Sequence, residues 1–99
     1  MRVSISPLAE RDLEAIGDYI ADDNPARAVS FVAELRDQCA TIAKAPQIYR
    51  LRPELGEGVR SCAHGNHVIF FTVTNARLTI VRVLQGAMDI PSQFSGEKK

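Results

Sequence analysis

HVIFFTVTNARLTIVRVLQ, residues 67–85, decides the architecture of this chain. Two runs rich in β-branched and aromatic residues, Val68 to Thr74 and Leu78 to Leu84, flank Asn75-Ala76, which reads as a two-residue hairpin turn. Gly65-Asn66 marks a second tight turn just upstream, so Val59 to Ala63 joins as the first strand of a three-stranded antiparallel meander. Within the two longer runs nearly every position is apolar, not every second one, so both faces of this sheet must avoid water. Helices can cover one face of so small a sheet. The other face needs either a fold-over of residues 47–58 and the C-terminal segment, or a partner, and an apolar second face suits helix-in-groove or strand-addition binding.

The helices lie on the N-terminal side. Val3 and Ile5 alternate with Ser4 and Ser6 as a short half-buried strand. Ser6-Pro7 then supplies a helix N-cap followed by proline at the first helical position, and Glu10, Asp12 and Glu14 suit the positive end of the helix dipole. Ala9, Leu13, Ile16 and Ile20 share one face of an amphipathic helix over about residues 7–22. Asn24-Pro25 repeats the capping signal. The second helix carries Ala28, Phe31, Val32, Leu35, Cys39 and Ile42 as its apolar stripe and ends before Pro46. With only Asp23-Asn24 between them, the helices fold back as a hairpin. Residues 47–58 (QIYRLRPELGEG) read as a loop. The expected fold is therefore α+β: an N-terminal strand, a helical hairpin, then the meander, with the helices on one face of the sheet. One domain spans 1–94, and the small, charged residues 95–99 read as a frayed tail.

Composition narrows function by exclusion. The hydrophobic share of 45% fits a globular chain. Twelve basic residues balance twelve acidic ones, which disfavours direct nucleic-acid binding, since a phosphate-coating surface carries an excess of Lys and Arg. No apolar run is long enough to span a membrane, and MRVSISPLAE lacks the apolar stretch of a secretory signal, so a cytoplasmic location is expected.

Candidate chemistry is sparse. His64 and His67 bracket the Gly65-Asn66 turn, but an HxxH pair needs further ligands to hold zinc and none stands nearby; the two read as turn residues, and no metal or other cofactor is expected. Cys39 and Cys62 read as small buried hydrophobes in a reducing compartment. Gly56 and Gly58 precede a strand, not a helix, so they form no phosphate loop. No paired carboxylates, serine nucleophile or Cys–His pairing emerges from spacing. The arginines carry more information. Arg50, Arg52, Arg60 and Arg82 cluster in the loop and strands, and Arg82 interrupts the apolar run VRVL. A charge placed there is either paired, with Glu54, Glu57 or Asp89 as the nearest choices, or points into a functional groove that cradles an anion.

The pieces SPLAERDLEAIGDYIADDNP, AVSFVAELRDQCATIAKAP, RLRPELGEGVRSCAHGNHVIFFTV and IVRVLQGAMDIP together resemble the RelE/ParE toxin superfamily along nearly the whole chain. The DNP helix turn, the RPELGEGVR loop and the RVL-x-G-x-x-DIP ending resemble its ParE branch. That resemblance implies a toxin of a type II toxin–antitoxin system that inhibits DNA gyrase without being an enzyme. It also implies neutralisation by a ParD-like antitoxin, in a hetero-oligomer, with the antitoxin's C-terminal segment along the helical hairpin and the sheet. The residues expected to contact the target are Arg60, Arg82, Gln85, Met88, Asp89 and Ile90. Those expected to hold the antitoxin are Leu13, Ile16, Ile20, Phe31, Leu35 and Phe71. RelE-type relatives instead cleave mRNA on the ribosome through the RNA's own 2′-hydroxyl, which needs cationic residues and a proton-transfer group near the C-terminal end. Arg60 and Arg82 fall where such relatives place basic residues, but Gln85 to Phe94 contains no Tyr, His, Lys or Arg, so the ribonuclease set is incomplete. The chain departs from the common ParE pattern at Gln85 (often His), Met88 (often Arg), and His67 and Phe71 (usually Tyr). A ribosome-dependent endoribonuclease and a diverged, non-toxic antitoxin-binding module are the alternatives.

Overall fold

The helical hairpin is built from its caps. In a computed structural model that describes residues 1–95, the Ser6 hydroxyl accepts from the Ala9 N–H and Asn24 Oδ1 accepts from the Arg27 N–H. Each cap is followed by a proline that starts a helix, α1 (Pro7–Ala21) and α2 (Pro25–Ile42). A Cβ on Gly17 would come within 3.3 Å of Val32 Cγ2, so the missing side chain is what lets the two helices approach here.

Strands β1 (Arg2–Ile5), β2 (Arg50–Leu51), β3 (Arg60–His64), β4 (His67–Thr74) and β5 (Arg77–Gln85) form one sheet in the order β1-β5-β4-β3-β2. The meander β3-β4-β5 is antiparallel as expected, but the sheet is mixed: β1 pairs parallel to β5. The helical hairpin and strands β2 to β4 lie between them in the chain, a connection long enough for a parallel pairing that no tight turn could make. Asn75 and Ala76 both take positive φ, 53° and 63°, the type I′ pattern, whereas Gly65 alone turns positive, at 59°, in the first hairpin.

Residues 47–58 are not a featureless loop. Short 3-10 turns at Pro46–Ile48 and Pro53–Leu55 bracket β2, and a short C-terminal helix, α3 (Ile90–Ser95), follows β5. Together they account for the doubly apolar strands. On one face Ile69, Phe71, Leu78, Ile80 and Val83 pack against Leu13, Phe31, Leu35 and Ile42 of the helices. On the other, Phe70 and Leu84 pack against Leu55, Val59 and Ile90, with Val68, Val81 and Phe94 at the margin. The second face is thus covered by this chain itself. No partner is needed there, and the idea that this face holds the antitoxin falls with it. The notion of residues 95–99 as a frayed tail lies almost wholly outside the described residues.

A β-bulge makes the two-sided packing possible. Phe71 pairs with Ile80 but Phe70 pairs with Arg82, leaving Val81 as the extra residue. Without that insertion, strict alternation along β5 would set Val83 on the opposite face from Leu78 and Ile80.

Candidate functional site

The arginine within the apolar strand is paired, and its partner is on α1. Arg82 donates from Nε to Asp12 Oδ2 at 2.8 Å and from Nη2 to Oδ1 at 2.9 Å, and the Val83 N–H donates to the same Oδ2 at 2.9 Å. None of Glu54, Glu57 or Asp89, the partners expected from sequence nearness, takes part. The strand register puts Arg82 on the α3 side, so its guanidinium reaches round the sheet edge to α1 while Nη1 points to the Gln93 carbonyl at 3.5 Å. The fork of the guanidinium suits a bidentate carboxylate, and the ion pair raises the Arg82 pKa above its ordinary value.

The other arginines also brace the frame. Arg60 Nη1 donates to the carbonyls of Tyr49 at 2.7 Å and Gln47 at 3.3 Å, pinning the segment before β2. Arg52 donates to Glu54 at 2.7 Å and lies over the Phe70 ring. Among the expected target contacts, Gln85, Met88 and Asp89 are exposed, whereas Ile90, the first residue of α3, is buried against the sheet.

The expected antitoxin contacts divide in the same way. Leu13, Leu35 and Phe71 are at most 2% exposed and Phe31 is 9% exposed, all four inside the helix–sheet core. They have no surface to offer a partner. Inward-facing stripes are what a sequence pattern detects, and those stripes are consumed in packing the helices on the sheet. Ile16 and Ile20 remain half-buried at the margin.

What the fold brings together is a groove of about 490 Å³ between α1 and the end of β5. Ile16, Tyr19 and Ile20 form one wall, and Arg82, Gln85 and Met88 the other. Members of both expected residue sets, Ile16 and Ile20 from one and Arg82, Gln85 and Met88 from the other, therefore meet in one place. Tyr19, at 78% exposure, went unnoticed in the sequence, where a single tyrosine on a polar helix face carries no signal. His67 was also underestimated. It stands opposite Gln85 in the ladder and lines the groove, its Nδ1 buried with no hydrogen-bond partner among the described residues. Desolvation, with help from nearby His64, lowers its pKa below the ordinary value. A second groove, about 710 Å³, runs along the outer side of the helical hairpin past Glu14, Gly17, Asp18, Val29 and Val32.

Burial of the two thiols is as expected: Cys39 and Cys62 are free and buried, with desolvation pushing the Cys39 pKa up to about 11 and that of Cys62 up as well.

Arg52, Arg60 and Arg82 thus serve the frame of this small α+β domain, and an apolar groove beside a strand end lies open at its surface. Comparison with known proteins makes the class specific. Residues 3–90 match the model of the family described as ParE toxin of type II toxin-antitoxin system, parDE. Toxin ParE1 of Mycobacterium tuberculosis is 33% identical over 91 residues, covering 90% of this chain and 93% of that protein. Toxin ParE1 of Caulobacter vibrioides is 33% identical over 86 residues, with 86% and 88% covered. The chain belongs to the ParE toxin family, as the toxin component of a type II toxin–antitoxin system. Its fold is similar to a chain of the chromosomal ParDE system of P. aeruginosa (TM-score 0.76, 23% identity, 86% and 95% of the chains covered) and to one of the RelBE2 complex of M. tuberculosis (TM-score 0.63, 21% identity, 85% and 95%).

Proposed function

We propose that this chain arrests growth by binding DNA gyrase as a non-catalytic poison, and that a ParD-like antitoxin silences it by direct contact in the cytoplasm. The family match across residues 3–90 is the observation that carries this reading. Within it, the exposed stretch Gln85 to Asp89 contacts the target, with Ile16, Tyr19 and Ile20 of α1 as the antitoxin's footing. Arg60 and Arg82 act by holding the frame, because their donors are engaged by the Tyr49 and Gln47 carbonyls and by Asp12. The sharing of one groove by Ile16 and Ile20 with Arg82, Gln85 and Met88 supports neutralisation by occlusion.

The test is a gyrase supercoiling assay with the purified chain, scored for linear plasmid. Accumulation of cleaved plasmid that added antitoxin reverses supports a gyrase poison. Unchanged supercoiling at toxin concentrations well above the enzyme's would remove gyrase as the target.

One observation favours the ribonuclease reading: His67, a group able to move protons, lies in the same groove as Arg82. Against it, the Arg82 charge is already matched by Asp12, which leaves little to stabilise a phosphate. Intact mRNA in a translating extract supplied with the chain would dispose of this alternative.

A further inference from the structure

One end of the second sheet face is polar throughout. The strand register lays two rows across it: Arg2, Arg77 and Thr74, then Ser4, Thr79 and Thr72. Further along the same face Phe70 and Val81 lie under the cover made by Leu55, Val59, Ile90 and Phe94. The two polar rows stay accessible, with Arg2, Thr74 and Arg77 exposed and Ser4, Thr72 and Thr79 half-buried.

Their polar groups are unengaged, which sets them apart from the rest of the chain. Ser6, Ser30, Thr41, Ser61 and Ser92 each hydrogen-bond within the protein. The hydroxyls of Ser4, Thr72, Thr74 and Thr79 form no hydrogen bond among the described residues. The cations divide the same way. Arg27, Arg36, Arg52 and Arg82 are ion-paired and Arg60 is held by carbonyls, whereas Arg2 and Arg77 have no partner among the described residues. These two stand opposite each other on neighbouring strands, which run about 4.8 Å apart. Like charges so placed destabilise a sheet, and neither row contains a carboxylate to offset them. An anion seated over both would turn that repulsion into attraction.

We infer that this face contacts the phosphate backbone of duplex DNA, with Arg2 and Arg77 supplying charge and the hydroxyls donating to phosphate oxygens. The equal count of basic and acidic residues, which spoke against nucleic acid, hides how the charges are distributed. Acids gather on α1, where Glu10, Asp12, Glu14 and Asp18 stand against Arg11 alone, and this face is left cationic. An exposed face suits a polyanion, whose neighbouring phosphates engage it together, better than a single free phosphate. It also suits DNA better than a lipid surface, because no apolar side chain projects from either row to enter a membrane. Arg77 and Gln85 end β5 about 26 Å apart, so DNA here and a protein in the groove beside Met88 occupy opposite ends of one strand. The inference goes beyond the gyrase reading, and its test contains no gyrase, so either can fail without the other.

Fluorescence anisotropy of a labelled DNA duplex, titrated with the purified chain at low salt, makes the test. Saturable binding that weakens with added salt is expected. Arg2→Ser combined with Arg77→Ser should weaken it about tenfold or more and lower the slope of log Kd against log salt by about 2, one phosphate for each arginine. Lysine at both positions keeps the charge and should retain most of the binding. Arg11→Ser, at an exposed arginine on α1, should leave affinity and slope unchanged. The urea midpoint of the double-serine variant shows that it is folded. No binding to the duplex, or equal binding by the folded double-serine variant, overturns the inference. Displacement of the duplex by inorganic phosphate beyond that caused by chloride at equal ionic strength overturns it in favour of a small-anion site. Retention on phosphatidylserine vesicles that needs both arginines, without duplex binding, overturns it in favour of a membrane surface.

Discussion

The Asp12 carboxylate accepts from Nε and Nη2 of the Arg82 guanidinium and from the neighbouring Val83 N–H, joining α1 to the end of β5 across 70 positions of sequence. The two side chains are only 13% and 16% exposed, so neither charge has water to fall back on if the other is removed. Asp12→Ala is expected to cost about 3 kcal/mol, since a shielded ion left without its partner is penalised more than the pair itself contributes. Urea unfolding measures this. A loss below about 1 kcal/mol would mean that the pair is solvated in solution.

Core and groove positions on the same helices should separate cleanly. Leu35→Ala opens a cavity in a fully buried site and is expected to destabilise the chain by roughly 2–5 kcal/mol. Tyr19→Ala, on an exposed side chain, should leave stability within about 0.5 kcal/mol. Its effect belongs in antitoxin affinity, expected to fall about tenfold or more by calorimetric titration. Equal effects of the two substitutions on stability would contradict the burial pattern.

The Asn75-Ala76 turn stores removable strain. Ala76 sits at φ 63°, where a Cβ costs about 1 kcal/mol and glycine costs nothing. Ala76→Gly should therefore raise the urea midpoint by an amount worth about 0.5–1 kcal/mol. A lowered midpoint would show that the turn relaxes in solution.

Acid should weaken the fold through His67. Burial lowers its pKa in the folded chain, so the unfolded chain takes up the proton first as pH falls through about 6.5. Stability drops from there until the folded-state pKa is passed, and this contribution is flat above neutrality. His67→Gln should flatten the slope of stability between pH 7.5 and 5.5. An unchanged slope would assign it to another group.

Both thiols should resist alkylation. With the Cys39 pKa near 11 and Cys62 raised by burial, iodoacetamide at pH 8 should modify neither until denaturant is added. Rapid labelling of the native chain, read by mass spectrometry, would show that α2 opens from the sheet.

The helices and the meander were legible because their signals are local. Ser6-Pro7, Asn24-Pro25, Gly65-Asn66 and the spacing of Leu13, Phe31, Leu35 and Ile42 act within a few residues of themselves, and the elements formed within a residue or two of expectation. The candidate site was legible only in part. Gln85, Met88, Ile16 and Ile20 were identified singly, but Leu13, Phe31, Leu35 and Phe71 were given to a partner when the core takes them. Periodicity says which residues avoid water; it does not say whose surface removes the water. Tyr19 had no local signal, and the spacing of His67 with His64 spoke only for a turn.

By itself, then, the sequence determined the α+β class, the order of the main helices and strands, the doubly apolar strands and the family, but not β2 or α3. Tertiary structure alone decided the parallel pairing of β1, the cover of the second sheet face by Leu55, Ile90 and Phe94, and the choice of Asp12 over nearer carboxylates for Arg82. The reason is one of range. Caps, turns and stripes are fixed by interactions over a few residues, whereas a pairing partner is whichever group the packed layers bring to the same point, however far away it lies in the chain.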